Sequence, residues 1–333
     1  MTEQFCRDFN KFYGRDKCIA CASKITNNIS FFSQVWVDDL SHKMSIYVCG
    51  KCGLAYSYPF LGDAEEKQLY EDYPSHHTRE NILKNNVDFA HKKQIFLENL
   101  FGNLFFLKKW VRLKLFLSCF LFPRMFQAYP IFSHNKNGNL KILDVGCGDG
   151  YFLNKAQQFG CLCYGTEYHE ALVQGLKDKK IIATTKIENF IDTNNSIREQ
   201  FDIIRINHVV EHLKYPGHIL DIARQLLKRN GELIIGVPNF NTLAKIFKED
   251  FWLHLPYHRQ HFTRYSMTKI LKRYGFTVIY CKTKSIGILS SSLIRKYRNI
   301  RLSLPLKLFD LFISVFLDLF SYGDCMEVYA KKE

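Results

Sequence analysis

Two arrangements in this sequence have residue types and spacings able to do chemistry. The first is a set of thiols, Cys18-x-x-Cys21 and Cys49-x-x-Cys52, the pairs separated by 27 residues. Two-residue spacing lets one turn present two thiolates to one ion, and tetrahedral zinc takes four soft ligands. The pattern predicts a structural zinc whose shell is closed by four cysteines, with Cys6 and His42 in reserve. The second is an apolar strand that ends in glycines, Ile142-Leu143-Asp144-Val145-Gly146-Cys147-Gly148-Asp149-Gly150, with a helix starting at Tyr151. Glycines admit positive φ and close approach of a ligand to the backbone. The helix start supplies free N–H groups. A dinucleotide site wants G-x-G-x-x-G. Here Tyr151 stands where the third glycine would be, and Asp144 suits a ligand with cationic groups better than a pyrophosphate.

Histidines cluster further on: His208, His212, His254, His258 and His261. Imidazole titrates near neutrality and suits a base that activates a hydroxyl. His261, His258, His212 and Glu211 are the catalytic candidates, and Tyr257 and Arg259 the substrate contacts. Each has a blander reading as a satisfied polar residue or, for Glu211, a helix cap. His254, His258 and His261 also have spacing open to a metal, but no carboxylate is placed near them in the sequence.

The elements that must position these groups are legible from about Gly138 onward. Lys141 to Val145 reads as a buried strand, Tyr151 to Phe159 as a helix, Cys161 to Thr166 and Phe201 to Ile206 as strands. Pro216 to Lys228 has helical periodicity and stops at Asn230-Gly231; Glu232 to Val237 is a strand ending at Pro238. Ser266 to Tyr274 is a helix stopped by Gly275, Phe276 to Cys281 a strand, and Met326 to Ala330 a closing strand. Strand-helix alternation predicts a largely parallel sheet with helices on both faces and ligands at the strands' carboxyl ends. Before it lie a cysteine-rich module, residues 1–60, with a strand at Ser45 to Val48, and a helical basic and apolar arm, 61–137. The remainder, 138–333, carries a basic and apolar helical insertion at 285–322.

The glycine string resembles motif I of the class I S-adenosylmethionine (SAM) methyltransferases. Phe201-Asp202-Ile203-Ile204 with Val209-Val210-Glu211-His212-Leu213 resembles the family's fourth strand and its Glu-His turn. Leu226 to Leu233 and Ile234 to Asn239 resemble the approach to its fifth strand and that strand's end. The resemblance implies an α/β, Rossmann-like, seven-stranded sheet. It also implies SAM as cofactor, held by Asp144, Gly146, Cys147, Gly148, Gly150, Tyr151 and Asn207, with Glu167 on the ribose hydroxyls. Cys49-Gly50-Lys51-Cys52-Gly53-Leu54-Ala55-Tyr56 with Pro59 resembles the segment preceding this domain in bacterial sugar and surface-polysaccharide methyltransferases. Tyr257-His258-Arg259-Gln260-His261 is similar to the Tyr-His-Glu-His loop of sugar C-methyltransferases, one residue longer and with Gln260 in place of the acid. The missing carboxylate turns the expectation toward O-methylation of a sugar hydroxyl with a histidine base. The alternatives are C-methylation, a small-lipid acceptor such as a quinone precursor, an RNA or protein methyltransferase, or a zinc-containing scaffold without activity.

Composition bounds the rest. With 333 residues, 47% hydrophobic and 23% charged, the chain is an ordinary globular protein, excluding disorder and fibres. The net charge of +14 points to an anionic partner: a sugar nucleotide, a lipid-linked glycan or a membrane surface. Nucleic acid is a weaker expectation, since no RNA-recognition motif accompanies the charge. From Arg79 to Lys141 there are eleven Lys or Arg against three acids, and from Lys282 to Lys307 seven against none. Each stretch includes or precedes an apolar run, as in interfacial helices. Leu308 to Phe320 and Leu115 to Phe122 are too short to span a bilayer. An odd cysteine count of eleven and the acidic start at Met1 to Asn10 predict a reduced cytoplasmic setting, peripheral to the membrane's inner face.

Overall fold

The computed structural model describes residues 2–37, 40, 42–62, 65, 140–191, 199–242, 253–284, 313, 317 and 320–333. The arm at 61–137 and the insertion at 285–322 lie almost wholly outside the described residues. Residues 1–60 and 130–333 form one compact unit, and 61–129 a second.

In the first unit the chain begins with helix α1 (Thr2–Tyr13), whose buried face carries Phe5, Phe9 and Tyr13. Strands β1 (Ile29–Val37), β2 (His42–Cys49) and β3 (Ala55–Tyr58) follow as an antiparallel meander. The large sheet is built by β4 (Lys141–Val145), β5 (Leu162–Thr166), β6 (Ile182–Thr184), β7 (Phe201–Asn207), β8 (Leu227–Pro238), β10 (Phe276–Lys284) and β11 (Cys325–Lys332). Its order is β10-β11-β8-β7-β4-β5-β6. Strands β4 to β8 run parallel, and β11 inserts antiparallel between β8 and β10. This is the α/β, Rossmann-like, seven-stranded sheet that the motifs implied, mixed at one edge.

Helices α2 (Tyr151–Gln158), α3 (Glu170–Asp178), α4 (Pro216–Leu226) and α5 (Arg264–Arg273) connect the strands. Helix α4 starts with proline, whose fixed φ suits the first turn, and buries Ile219, Leu220, Ile222, Ala223 and Leu226. Helix α5 is started by a reciprocal cap between Thr263 and Ser266. One boundary differs from expectation. Asn230-Gly231 is no turn: β8 already begins at Leu227, and a bulge in its pairing with β7 absorbs the extra residues. Gly231 fits there because a Cβ would sit 2.7 Å from Leu227 and 3.0 Å from the Phe201 carbonyl.

The loop after β8 returns as a short strand, β9 (Gln260–His261), which joins not the large sheet but the N-terminal one, giving the order β1-β2-β3-β9. Accordingly, one apolar cluster runs from Phe5, Phe9, Tyr47 and Tyr56 to Phe262, Met267, Ile270 and Leu220.

Candidate active site and cysteine centre

The glycine loop leaves the carboxyl end of β4. Gly146, Gly148 and Gly150 all have positive φ, at 68°, 56° and 78°. A Cβ on Gly146 would lie 2.4 Å from Val209, and one on Gly150 2.3 Å from Leu176. At Gly148 a Cβ would meet nothing within 4 Å, so this glycine faces open space. Its N–H donates to Glu167 Oε2 at 2.9 Å, which brings the acid after β5 to the loop's open side.

Two expected contacts, Asp144 and Cys147, have side chains turned to the interior. Asp144 is 1% exposed and accepts from Arg205, 2.9 and 3.0 Å from its two oxygens, so the cation it meets is internal. Burial pushes its carboxyl up, and Arg205 opposes that. Cys147 is buried, with its thiol against Gly165, where a Cβ would come within 2.7 Å; only its backbone is left to the loop. Asn207 ends β7 against Gly236, whose absent Cβ leaves room for its side chain. Tyr151 is exposed at the helix start, its N–H donating to Asp149.

The histidine cluster forms where the turn after β7 meets the loop after β8. Glu211 is buried, and its backbone carbonyl accepts from the N–H groups of Arg259 and Gln260 at 2.9 and 3.3 Å. Its Oε1 accepts from His208 Nδ1 at 3.1 Å, while Oε2 has no hydrogen-bond partner among the described residues. The His208 side chain is 46% exposed, in a left-handed backbone with φ 55°. A ring that donates from Nδ1 to a buried carboxylate presents Nε2 as an acceptor when neutral. His208 was noticed in the sequence but not put among the candidates; its spacing of three from Glu211 is the signal that marks it.

His212 donates from Nδ1 to the Tyr257 carbonyl at 3.1 Å and meets the His258 ring edge-on at 4.8 Å. His258 is buried, its Nδ1 without a partner among the described residues. Burial first, then the neighbouring His212, His261, His254 and His208, hold its pKa well below the ordinary value. Ligand atoms of Glu211, His212 and His258 lie within 4.8 Å of one another. The absence of a carboxylate from the histidine group is thereby corrected: Glu211 supplies one, and these three residues form a donor set able to hold a divalent cation.

His261 is not poised as a base. It lies on β9, 4% exposed, with Nε2 2.8 Å from Ser57 Oγ. Ser57 donates to the His258 carbonyl at 2.8 Å, so His261 must donate to it. Burial pushes the His261 pKa down to about 3. Arg259 is 8% exposed with its guanidinium 5.4 Å from the Phe12 ring of α1. The Tyr257 ring lies 5.8 Å from that of His254.

In the N-terminal module Cys18, Cys21, Cys49 and Cys52 converge, their sulfurs within 4.8 Å of one another. Two contacts, Cys18–Cys52 at 3.6 Å and Cys21–Cys49 at 3.8 Å, match the edge of about 3.8 Å that a zinc–sulfur bond of about 2.3 Å sets in a tetrahedron. Reduced thiols at that separation fit a shared divalent cation.

Residues 117–280 match the family model described as a methyltransferase domain. The ubiquinone biosynthesis O-methyltransferase of Bradyrhizobium diazoefficiens is 32% identical over 116 residues, 33% of this chain and 44% of that protein. The enzyme of the same description from Histophilus somni is 28% identical over 116 residues, 32% and 47% of the two chains. The chain thus spans about half the length of these curated relatives. Among solved structures, a SAM-dependent methyltransferase from Archaeoglobus fulgidus aligns with 62% of this chain and 94% of its own, at 18% identity and a TM-score of 0.43.

Proposed function

We propose that this chain is a SAM-dependent methyltransferase that methylates a hydroxyl group, with a structural zinc in its N-terminal module. The observation that carries the reading is the glycine loop: three left-handed glycines, one facing open space, with Glu167 across from it. Such a cradle fits a ribose and a small charged tail. When bound, SAM supplies a methyl group on a cationic sulfonium. The chain's own residues then have three tasks. Glu167 accepts the ribose hydroxyls. The loop backbone at Gly146 to Gly150 lets the cofactor approach closely. The Glu211–His208 pair takes the proton of an incoming hydroxyl, the buried carboxylate orienting the exposed imidazole.

The acceptor that best fits is a sugar hydroxyl on a sugar nucleotide or lipid-linked glycan, in polysaccharide or glycoconjugate synthesis. Support comes from the cysteine module's resemblance to sugar methyltransferases and from the net charge of +14, suited to phosphates. A second reading, a small-lipid acceptor of the quinone-precursor type, is favoured by the curated relatives' names. The setting we propose is cytoplasmic, with the basic segments at the inner face of the membrane; no helix among the described residues is long and apolar enough to cross one. Calorimetry with SAM and S-adenosylhomocysteine (SAH) tests the premise, with micromolar binding expected and no binding to zinc-loaded protein overturning it. Labelled methyl transfer into sugar-nucleotide, glycolipid or phenolic-lipid pools then separates the acceptors.

A further inference from the structure

We infer that the N-terminal cysteine module is the clamp of the acceptor side of the active site, with Ser57 as its positioning residue. The inference rests on the methyltransferase reading for its functional meaning, but its geometry is independent of that reading.

Segment 258–263 is held from two sides. On the methyltransferase side, the Arg259 and Gln260 N–H groups donate to the Glu211 carbonyl. On the module side, β9 pairs with β3, Tyr56 opposite Gln260 and Ala55 opposite His261. Ser57 sits at the centre, 4% exposed. Its N–H donates to the Arg259 carbonyl at 3.1 Å, its hydroxyl donates to the His258 carbonyl at 2.8 Å, and the hydroxyl oxygen accepts from His261. One serine therefore ties down three positions, 258, 259 and 261, beside the buried His258 and Glu211. Gln260 adds a bond from Nε2 to the Tyr13 hydroxyl at 3.0 Å.

The clamp reaches the cysteine centre by two short paths. Tyr56, beside Ser57 on β3, donates to Cys18 Sγ at 3.2 Å and accepts from the Ile19 N–H. Thr263, the cap of α5, donates to the Cys52 carbonyl at 3.2 Å. Cys18 and Cys52 each come from a different knuckle, so an ion that joins the knuckles fixes both paths at once. Among the described residues, the glycine loop and Glu167 hydrogen-bond to Thr166, Thr184, His169 and each other, all outside the module. The module should thus govern the acceptor side and leave cofactor binding alone.

The test uses the full-length zinc-loaded protein and two variants, Ser57→Ala and Cys21→Ser, with Ser57→Thr as the conservative rescue. In Ser57→Ala, amide exchange at 258–261 should speed at least tenfold relative to β4 and β5, and the His261 and His258 ring resonances should shift. SAH affinity should stay within twofold, and Ser57→Thr should restore the exchange pattern. In Cys21→Ser the same segment should loosen again with SAH affinity kept. Unchanged exchange at 258–261 in both variants overturns the clamp, and so does a parallel loss of SAH affinity and global protection. Wild-type protein that fails to bind SAH sinks the enzyme reading instead, leaving the exchange comparison intact.

Discussion

In the proposed cofactor site, Glu167 is a group that would bind and the three glycines are groups that make room. Removing the Glu167 carboxylate should weaken SAH binding by about 1–3 kcal/mol with little change in stability; calorimetry and thermal melting report both, and unaltered affinity would remove Glu167 from the site. Gly150→Ala should act the other way, lowering the melting temperature, because its Cβ meets Leu176 at 2.3 Å in a left-handed backbone. Gly148→Ala meets no neighbour, so beyond the strain of its left-handed backbone it should also lower SAH affinity. His261 yields a pH prediction. Its folded pKa of about 3 lies below the ordinary value near 6.5, so as pH falls through 6.5 the unfolded chain gains a proton that the folded chain refuses. Stability should drop with acid between those values, at up to about 1.4 kcal/mol per pH unit for this group. Urea midpoints at saturating zinc should therefore fall less steeply in His261→Asn than in wild type; equal slopes would contradict it. The glycine loop was readable in the sequence because a strand, a turn and a helix start define it locally, whereas Glu167 was reached only through the family resemblance. His261 was misread as a base because its surroundings come from Ser57, 204 residues away.

Among the elements, those with a clean period were legible and those with a defect were not. Strand β4 and helix α4 were predicted nearly to their ends. Strand β1 was missed because its pairing shifts between Phe31 and Ser33, which breaks the alternation that marks a strand. Strand β6 has only three residues, Ile182–Thr184. Helix α1 went unremarked although Phe5, Phe9 and Tyr13 follow a spacing of four. The cysteine knuckles were legible from spacing alone, since metal geometry demands it. Metal analysis should give about one zinc per chain, lost together with folding stability in Cys18→Ser; a fully stable, metal-free wild type would refute this. Sequence could not tell that β9 would pair with β3. Two residues carry no periodicity, and Gln260-His261 looked like part of a loop because its partner strand lies in another module.

At the scale of the molecule, charge and connectivity decide behaviour. The basic stretches at 79–141 and 282–307 predict that the protein pellets with anionic vesicles at low salt and releases at high salt; indifference to vesicles would leave those residues to internal packing. The α/β, Rossmann-like sheet was legible because four motifs occur in order, whereas the fusion of module and domain into one apolar cluster was not. That fusion bears on how the chain is made. On a ribosome the cysteine module emerges before the large sheet, yet its own sheet lacks its last strand until residues 260 and 261 have been synthesised. During that interval the edge of β3 is open, with unpaired main-chain groups able to recruit a foreign strand. Closing a contact across 204 residues is also slow compared with forming the local meander. A fragment ending at residue 60 should accordingly aggregate on expression, and full-length refolding should gain protection at β3 last.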